Sequence, residues 1–257
     1  AFAERFSGGL RIPTVAYTDR SKMNPKAFET FHSYLEKIYP KAHRFLSREI
    51  IGDLSLLYIW EGTNPSLNPV LLMAHMDVVP VTDASVDDWT YGPFKGDVAD
   101  GYIWGRGAMD DKASLFSIME AVEWLLSEGF TPERTIYISF GYDEEIGGTQ
   151  GAAKVAERMQ LMNVIPEFVL DEGGGLLSGD MLPINSLSAF VAMGEKGYLS
   201  LILTANGQGG HSSMPGTETT IGILASAIQK LQENPLPASM TPSIRKIIEA
   251  FAPAMPF

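Results

Sequence analysis

His75-Met76-Asp77 stands at the end of the apolar run Val70-Leu71-Leu72-Met73-Ala74. Such a run reads as a strand buried on both faces, the kind found in parallel sheets. Side chains two apart on a strand point the same way, so His75 and Asp77 leave its carboxyl end together. Open α/β sheets place their ligands at that end. An imidazole is a good zinc ligand, and a carboxylate close by can hold its other ring nitrogen and fix the tautomer. Alone, His-x-Asp is a common chance pattern. Three further acidic clusters follow it, each where a strand is expected to end.

The second cluster is Gly105-Arg106-Gly107-Ala108-Met109-Asp110-Asp111-Lys112, at the mouth of a long helix. An aspartate there favours the helix by about 0.3–1 kcal/mol, so for Asp111 capping and ligation are equal readings. Two caps are not needed, which makes Asp110 the better ligand candidate, with two oxygens able to bridge two cations. The third is Asp143-Glu144-Glu145, followed by Gly147-Gly148. Adjacent carboxylates repel unless positive charge lies between them; a solvated turn is the competing reading. The fourth is Leu170-Asp171-Glu172-Gly173-Gly174-Gly175. Acid-bearing junctions that all follow strands of one sheet imply a shared metal centre. Its donors are nitrogen and oxygen without sulfur, which suits zinc first, with manganese or cobalt as alternatives.

Such a centre hydrolyses. A divalent ion lowers the pKa of a bound water from about 15.7 to about 7. A neighbouring carboxylate takes the proton and passes it to the leaving group. Two ions roughly 3.5–4 Å apart share the developing negative charge. Other hydrolytic designs find no support, for the chain has neither His-Glu-x-x-His nor Gly-x-Ser-x-Gly.

The elements that must position these residues follow from periodicity. Asn24-Pro25 opens a helix running to about Ile38. Strands are expected from Leu54 to Trp60, at Val70, at Ile103-Trp104, from Thr135 to Tyr142 and, buried, at Phe168-Val169-Leu170. The stretch from Thr82 to Gly101 is a loop. Leu115, Ile118, Met119, Val122, Leu125 and Leu126 recur at helical spacing from Lys112 to Ser127, and a surface helix spans Gly151 to Met159. Strands alternating with helices make an α/β fold with a mostly parallel sheet covered on both faces. The texture changes after about Ser188. Two strands, Ala189 to Met193 and Tyr198 to Ala205, are expected across Gly194-Glu195-Lys196-Gly197, then a helix from about Thr217 to Gln232 and another from Ser243 to Phe251. The domains are thus 1–188 and 189–257.

The 257 residues are 45% hydrophobic and 19% charged, enough for a sizeable core. A net charge of −12 argues against nucleic acid as a partner. There are no cysteines, hence no disulfide and no thiolate ligand or nucleophile. No stretch approaches the ~20 apolar residues of a membrane span. Ala1-Phe2-Ala3-Glu4-Arg5 is not a leader, but a removed leader leaves no trace, so cytoplasmic and secreted or periplasmic locations stay open. His32 and His43 read as surface residues of the N-terminal helical region.

Together the clusters resemble those of the co-catalytic dizinc metallopeptidase and aminoacylase family. That family includes carboxypeptidase S, glutamate carboxypeptidase, aminoacylase-1 and succinyl-diaminopimelate desuccinylase; the likeness is strongest to carboxypeptidase S and the N-fatty-acyl-amino-acid hydrolase/synthase branch. It is carried by Leu71 to Pro80, Gly105 to Lys112, Asp143-Glu144-Glu145, Asp171-Glu172-Gly173-Gly174, Glu195-Lys196-Gly197 and Gly210-His211-Ser212-Ser213. The resemblance implies a three-layer αβα zinc-peptidase-like catalytic domain and the beginning of an inserted α+β lid, through which the protein forms a homodimer. It implies two divalent metal ions, with His75, Asp110, Glu145 and Asp171 as ligands and Asp110 bridging across a peptide bond to Asp111 that is often cis. Asp77 would orient His75, Glu144 would be the general base, and His211 would polarise the substrate carbonyl. The implied activity is cleavage of an amide next to a free carboxylate, as a carboxypeptidase acting on small peptides or as an N-acyl-amino-acid amidohydrolase.

The family supplies one more metal-ligating histidine, and none follows His211 here. The chain is therefore read as an N-terminal portion, its catalytic domain incomplete at the C-terminal end and its lid partial. A catalytically incomplete fragment serving only binding or association is the non-enzymatic alternative.

Overall fold

The structure, a computed structural model, describes residues 2–177, 187–194, 197–207, 209–211, 213–214 and 216–255. It contains two compact units, Ala1–Glu172 and Gly173–Phe257.

The first unit opens with three helices, α1 (Phe2–Leu10), α2 (Pro25–Ile38) and α3 (Pro40–Phe45). Proline stands at the start of α2 and α3, where its missing N–H costs nothing. The strands β1 (Ser47–Ile51), β2 (Ser55–Trp60) and β3 (Val70–His75) follow, then the small hairpin β4 (Val98–Ala99) and β5 (Tyr102–Ile103). Helix α4 (Lys112–Ser127), β6 (Ile136–Gly141), α5 (Ala152–Leu161) and β7 (Phe168–Leu170) complete the unit.

The main sheet has the order β1-β2-β6-β3-β7. β3 lies parallel to β6, from Val70 against Ile136 to His75 against Gly141, and parallel to β7 on its other side. β2 is antiparallel to both β6 and β1, so it alone runs against the rest. Alternation along β2 divides the core between the two faces. Leu56, Tyr58 and Trp60 meet Phe28, Phe31, Leu115, Phe116 and Met119 of α2 and α4, while Leu57 meets Val155 and Met159 of α5. This is the expected three-layer αβα arrangement.

Several details differ from the sequence reading. Phe168, Val169 and Leu170 are more than half exposed rather than buried, because β7 is the sheet's edge and pairs only with β3 among the described residues. His32 is buried at 8% exposure because it shares the inward face of α2 with Phe28, Phe31 and Leu35. His43 is half-buried, its ring nitrogens 2.8 Å from the Tyr39 carbonyl and 3.0 Å from the Tyr58 hydroxyl. Helices α1 and α3 and strand β1 had no counterpart in the periodicity.

In the second unit β8 (Gly175–Leu177) pairs antiparallel with β9 (Ser188–Phe190). That pairing draws Gly173 to Leu177 into this unit, and the compact units divide at 172/173 where the sequence reading divides the chain at 188/189. Two helices follow, α6 (Thr220–Glu233) and α7 (Pro242–Phe251), each capped by a threonine hydroxyl that accepts a hydrogen bond from an N–H in its first turn. The Phe190 and Phe251 rings lie 5.1 Å apart. Residues 198–205 form no strand; a strand needs a ladder, and among the described residues none lies against them. Glu195, Lys196 and Ser212, part of the motifs above, lie outside the described residues.

Candidate metal centre

Because β3, β6 and β7 are adjacent and parallel, their carboxyl ends bring three of the four clusters side by side. The other, Asp110-Asp111, follows the β4–β5 hairpin and opens α4, so it does not follow a strand of the main sheet as the sequence reading had it. The Asp110–Asp111 peptide bond is cis.

His75 is 2% exposed. Its Nδ1 lies 3.0 Å from the Asp77 backbone carbonyl and 3.4 Å from Asp77 Oδ1. A carbonyl only accepts, so Nδ1 carries the hydrogen. Nε2 then turns toward carboxylates, with Asp110 Oδ1 at 2.9 Å, Glu172 Oε1 at 3.4 Å and Glu144 Oε2 at 3.8 Å. A lone pair facing three acid oxygens calls for a cation between them. A proton answers that demand: burial alone would lower the imidazole pKa, but the Asp77 hydrogen bond and charge, with Glu172 and Asp111, outweigh it and push it up to about 10. A divalent ion answers it equally well, and the nitrogen-and-oxygen donor set fits one.

The carboxylate of the His75 motif is fully buried. Asp77 accepts hydrogen bonds from Glu144 N at 3.2 Å and Glu145 N at 3.1 Å, locking the third cluster onto the end of β3. Asp143 faces the other way. Its Oδ2 accepts from Gln150 N at 2.9 Å and from Arg20 Nη2 at 2.6 Å. Arg20→Ala therefore leaves a buried carboxylate without its cation, at an expected cost of roughly 1–3 kcal/mol. Urea denaturation should show that loss, and the Arg20→Ala/Asp143→Asn double variant should recover most of it.

Two sets of donors converge, His75 with Asp110 and Glu145, and His75 with Asp111 and Glu172; within each set the donor atoms lie within 4.8 Å of one another. Asp111 occupies the cap position of α4, but its side chain makes no cap hydrogen bond and instead accepts from His75 N at 3.2 Å. Asp171 joins neither set. It is exposed, with Oδ1 accepting from Glu172 N at 2.9 Å, and its charge reaches Glu144. Glu172, which the sequence reading did not name as a ligand, stands beside His75 in its stead. His211 belongs to the second unit, exposed, with Nδ1 3.0 Å from the Ser213 hydroxyl.

The acids carry the strain of their crowding. Burial raises the pKa of Glu144 and Glu145, and neighbouring carboxylates add to it. Burial, then the charges of Asp111, Asp110 and Glu144, push Glu172 up to about 7 despite His75. A carboxyl raised in the folded state adds stability below its unfolded value and loses it as pH rises through the folded one. Glu172 thus contributes below about 4.5 and loses its contribution through about 7. Metal-stripped protein is expected to melt at a lower temperature at pH 8 than at pH 5.5, with the difference removed by a divalent cation. Differential scanning fluorimetry gives the comparison, and a flat profile in stripped protein would contradict it.

Behind the acids lies Lys112, fully buried. Its Nζ donates to the Gly9 carbonyl at 3.1 Å and the Ile12 carbonyl at 2.8 Å and sits 4.7 Å above the Phe31 ring. Burial pushes its pKa down to about 7. The N-terminal segment is thereby tethered to the start of the helix that carries Asp110 and Asp111.

Comparison with known proteins supplies the context. The family model described as Peptidase family M20/M25/M40 matches residues 71–252. The chain is 43% identical over 237 residues to a probable carboxypeptidase S-like 2 of Dictyostelium discoideum, covering 91% of this chain and 45% of that protein. It is 42% identical over 236 residues to N-fatty-acyl-amino acid synthase/hydrolase PM20D1 of Xenopus tropicalis, again 91% of this chain and 45% of the relative. The chain thus spans less than half the length of these relatives. Among solved structures, the M20 family metallo-carboxypeptidase Sso-CP2 of Sulfolobus solfataricus aligns with a TM-score of 0.54 at 20% identity, covering 68% of this chain and 38% of that one; this likeness speaks to the fold. The matched region contains the strand end at His75 and every acid gathered around it, and the chain belongs to peptidase family M20/M25/M40.

Proposed function

We propose that the full-length protein is a metal-dependent hydrolase that cleaves an amide bond whose amine side bears a free carboxylate. Peptides are the first substrate class, supported by the relative named as carboxypeptidase S-like, and N-acyl amino acids the second, supported by the relative named for N-fatty-acyl amino acids. The observation that carries this reading is the buried His75 ring, whose Nε2 faces acids from three other segments. His75, Asp110 and Glu145, with Asp111 and Glu172 beside them, would hold divalent ions, zinc first, and a second ion and a ligand role for Asp171 rest on the resemblance. The ions, when bound, supply positive charge that acidifies water and polarises a carbonyl.

The chain's own residues do the rest. Asp77 fixes the His75 tautomer and anchors the Glu144-Glu145 backbone. Glu144, with its raised pKa, takes the proton from water and delivers it to the leaving amine. For His211, a carbonyl-polarising role rests on the resemblance alone. Residues 189–257 as a lid through which two copies pair is a further proposal, supported by the exposed Ile221, Ile228 and Leu231 on α6. Sedimentation of the full-length protein tests the pairing.

The deciding experiment combines metal analysis of purified full-length protein with amine release from dipeptides, their C-terminal amides and N-acyl amino acids. Turnover should require metal and fail on the amides. Turnover indifferent to chelators would remove the proposal.

A further inference from the structure

We propose that a cleft beside Glu145 is a subsite for an apolar group on the carbonyl side of the scissile amide, an inference that rests on the hydrolase reading above. The cleft measures about 500 Å³, within the range of roughly 300–1,000 Å³ usual for small-molecule sites. Tyr17, Thr18, Asp19 and Lys22 form one wall. Val79, Pro80, Glu145 and Ile146 form the other. The first wall precedes residue 71, where the family match begins, so the match assigns it nothing.

Position is the first argument. Glu145 belongs to a donor set with His75 and Asp110, and the same residue lines the cleft, so a substrate held at the centre has this space next to it. Rigidity is the second. The wall is pinned to the site at both ends: Val78 N donates to the Thr14 carbonyl and Ala16 N to the Val78 carbonyl, both at 3.0 Å, and the Thr14 hydroxyl donates to the Met76 carbonyl. At the far end Arg20 binds Asp143. A preformed wall spares a ligand the cost of ordering it.

Chemistry decides the occupant. Tyr17, Val79, Pro80 and Ile146 present apolar surface, while Asp19 and Glu145 repel anions. Lys22 Nζ lies 3.9 Å from Asp19 Oδ2, which offsets its charge. The substrate's free carboxylate is on the amine side and is unwelcome here. The carbonyl-side group, an apolar side chain or an acyl chain, fits.

Thr18→Trp tests this, since Thr18 is exposed and a bulky ring there fills the cleft without entering the core. Calorimetry on metal-stripped full-length protein compares N-octanoylglycine with N-acetylglycine. The wild type should bind the octanoyl compound at least tenfold more tightly, and Thr18→Trp should erase that preference while leaving N-acetylglycine unchanged. In holoenzyme the same variant should raise KM for the octanoyl substrate and leave kcat alone. Equal weakening of both compounds, or a preference that survives the tryptophan, would overturn the subsite. Absence of turnover in metal-loaded wild type would instead overturn the hydrolase reading, and the binding comparison would still judge the cleft.

Discussion

Glu144→Ala in the full-length protein is expected to lower kcat/KM by about 10²–10⁴-fold, the usual worth of the general base proposed for it, and to leave metal content unchanged. Glu144 Oε2 is 3.8 Å from His75 Nε2, yet the residue belongs to neither converging donor set. Its side chain is 52% exposed, open to water and substrate. Its backbone is held by Asp77 through an N–H that alanine retains, so the loop carrying Glu145 stays in place. Burial, then the charges of Asp77, Asp110 and Asp171, raise its pKa above the ordinary carboxylate value despite His75, which makes it a stronger base. Elemental analysis beside steady-state kinetics gives the answer, with Glu145→Ala as the control that should lose metal and rate together. If both variants lose metal equally, the two roles have been exchanged.

His75→Ala should do the opposite, removing metal first and activity as a consequence. The ring supplies the nitrogen donor of both candidate groupings, a ligand that no neighbouring carboxylate replaces in kind. Loss of an outer partner of a ligand typically weakens metal binding about 10–100-fold, which is the expectation for Asp77→Asn. His75→Ala should exceed that range. Competition with a chromophoric chelator measures both variants on one scale. An affinity unchanged in His75→Ala, or lower in Asp77→Asn than in His75→Ala, would show that the centre is built elsewhere.

The sheet and the centre were legible in the sequence to different depths. Val70 to Ala74 announced β3 because a strand buried on both faces must be apolar throughout, and the helical spacing from Leu115 to Leu126 announced α4. Helix α1 was hidden by Ser7-Gly8-Gly9, poor helix formers whose small size is needed where Gly9 passes Phe116. Strand β1, Ser-Arg-Glu-Ile-Ile, carries two charges in five residues and lacks an apolar pattern because it lies at the sheet's edge, with only Ile51 buried. The centre's histidine and its partner Asp77 were plain, since period two puts them on one side. Which of two adjacent acids turns inward after a strand ends is not periodic at all. Asp171 and Glu172 differ by one backbone rotation, and only the fold places Glu172 beside His75.

The buried Lys112 has a consequence for how the chain is born. Its two carbonyl partners lie 103 and 100 residues earlier, and Arg20 waits for Asp143, 123 residues later. Synthesis at roughly 5–20 residues per second releases the N-terminal segment many seconds before either partner exists. Contacts this distant in sequence form late and slow a fold. Docking of Gly9, Ile12 and Arg20 is therefore completed only after Lys112 and Asp143 have been made, so these contacts close the unit and do not nucleate it.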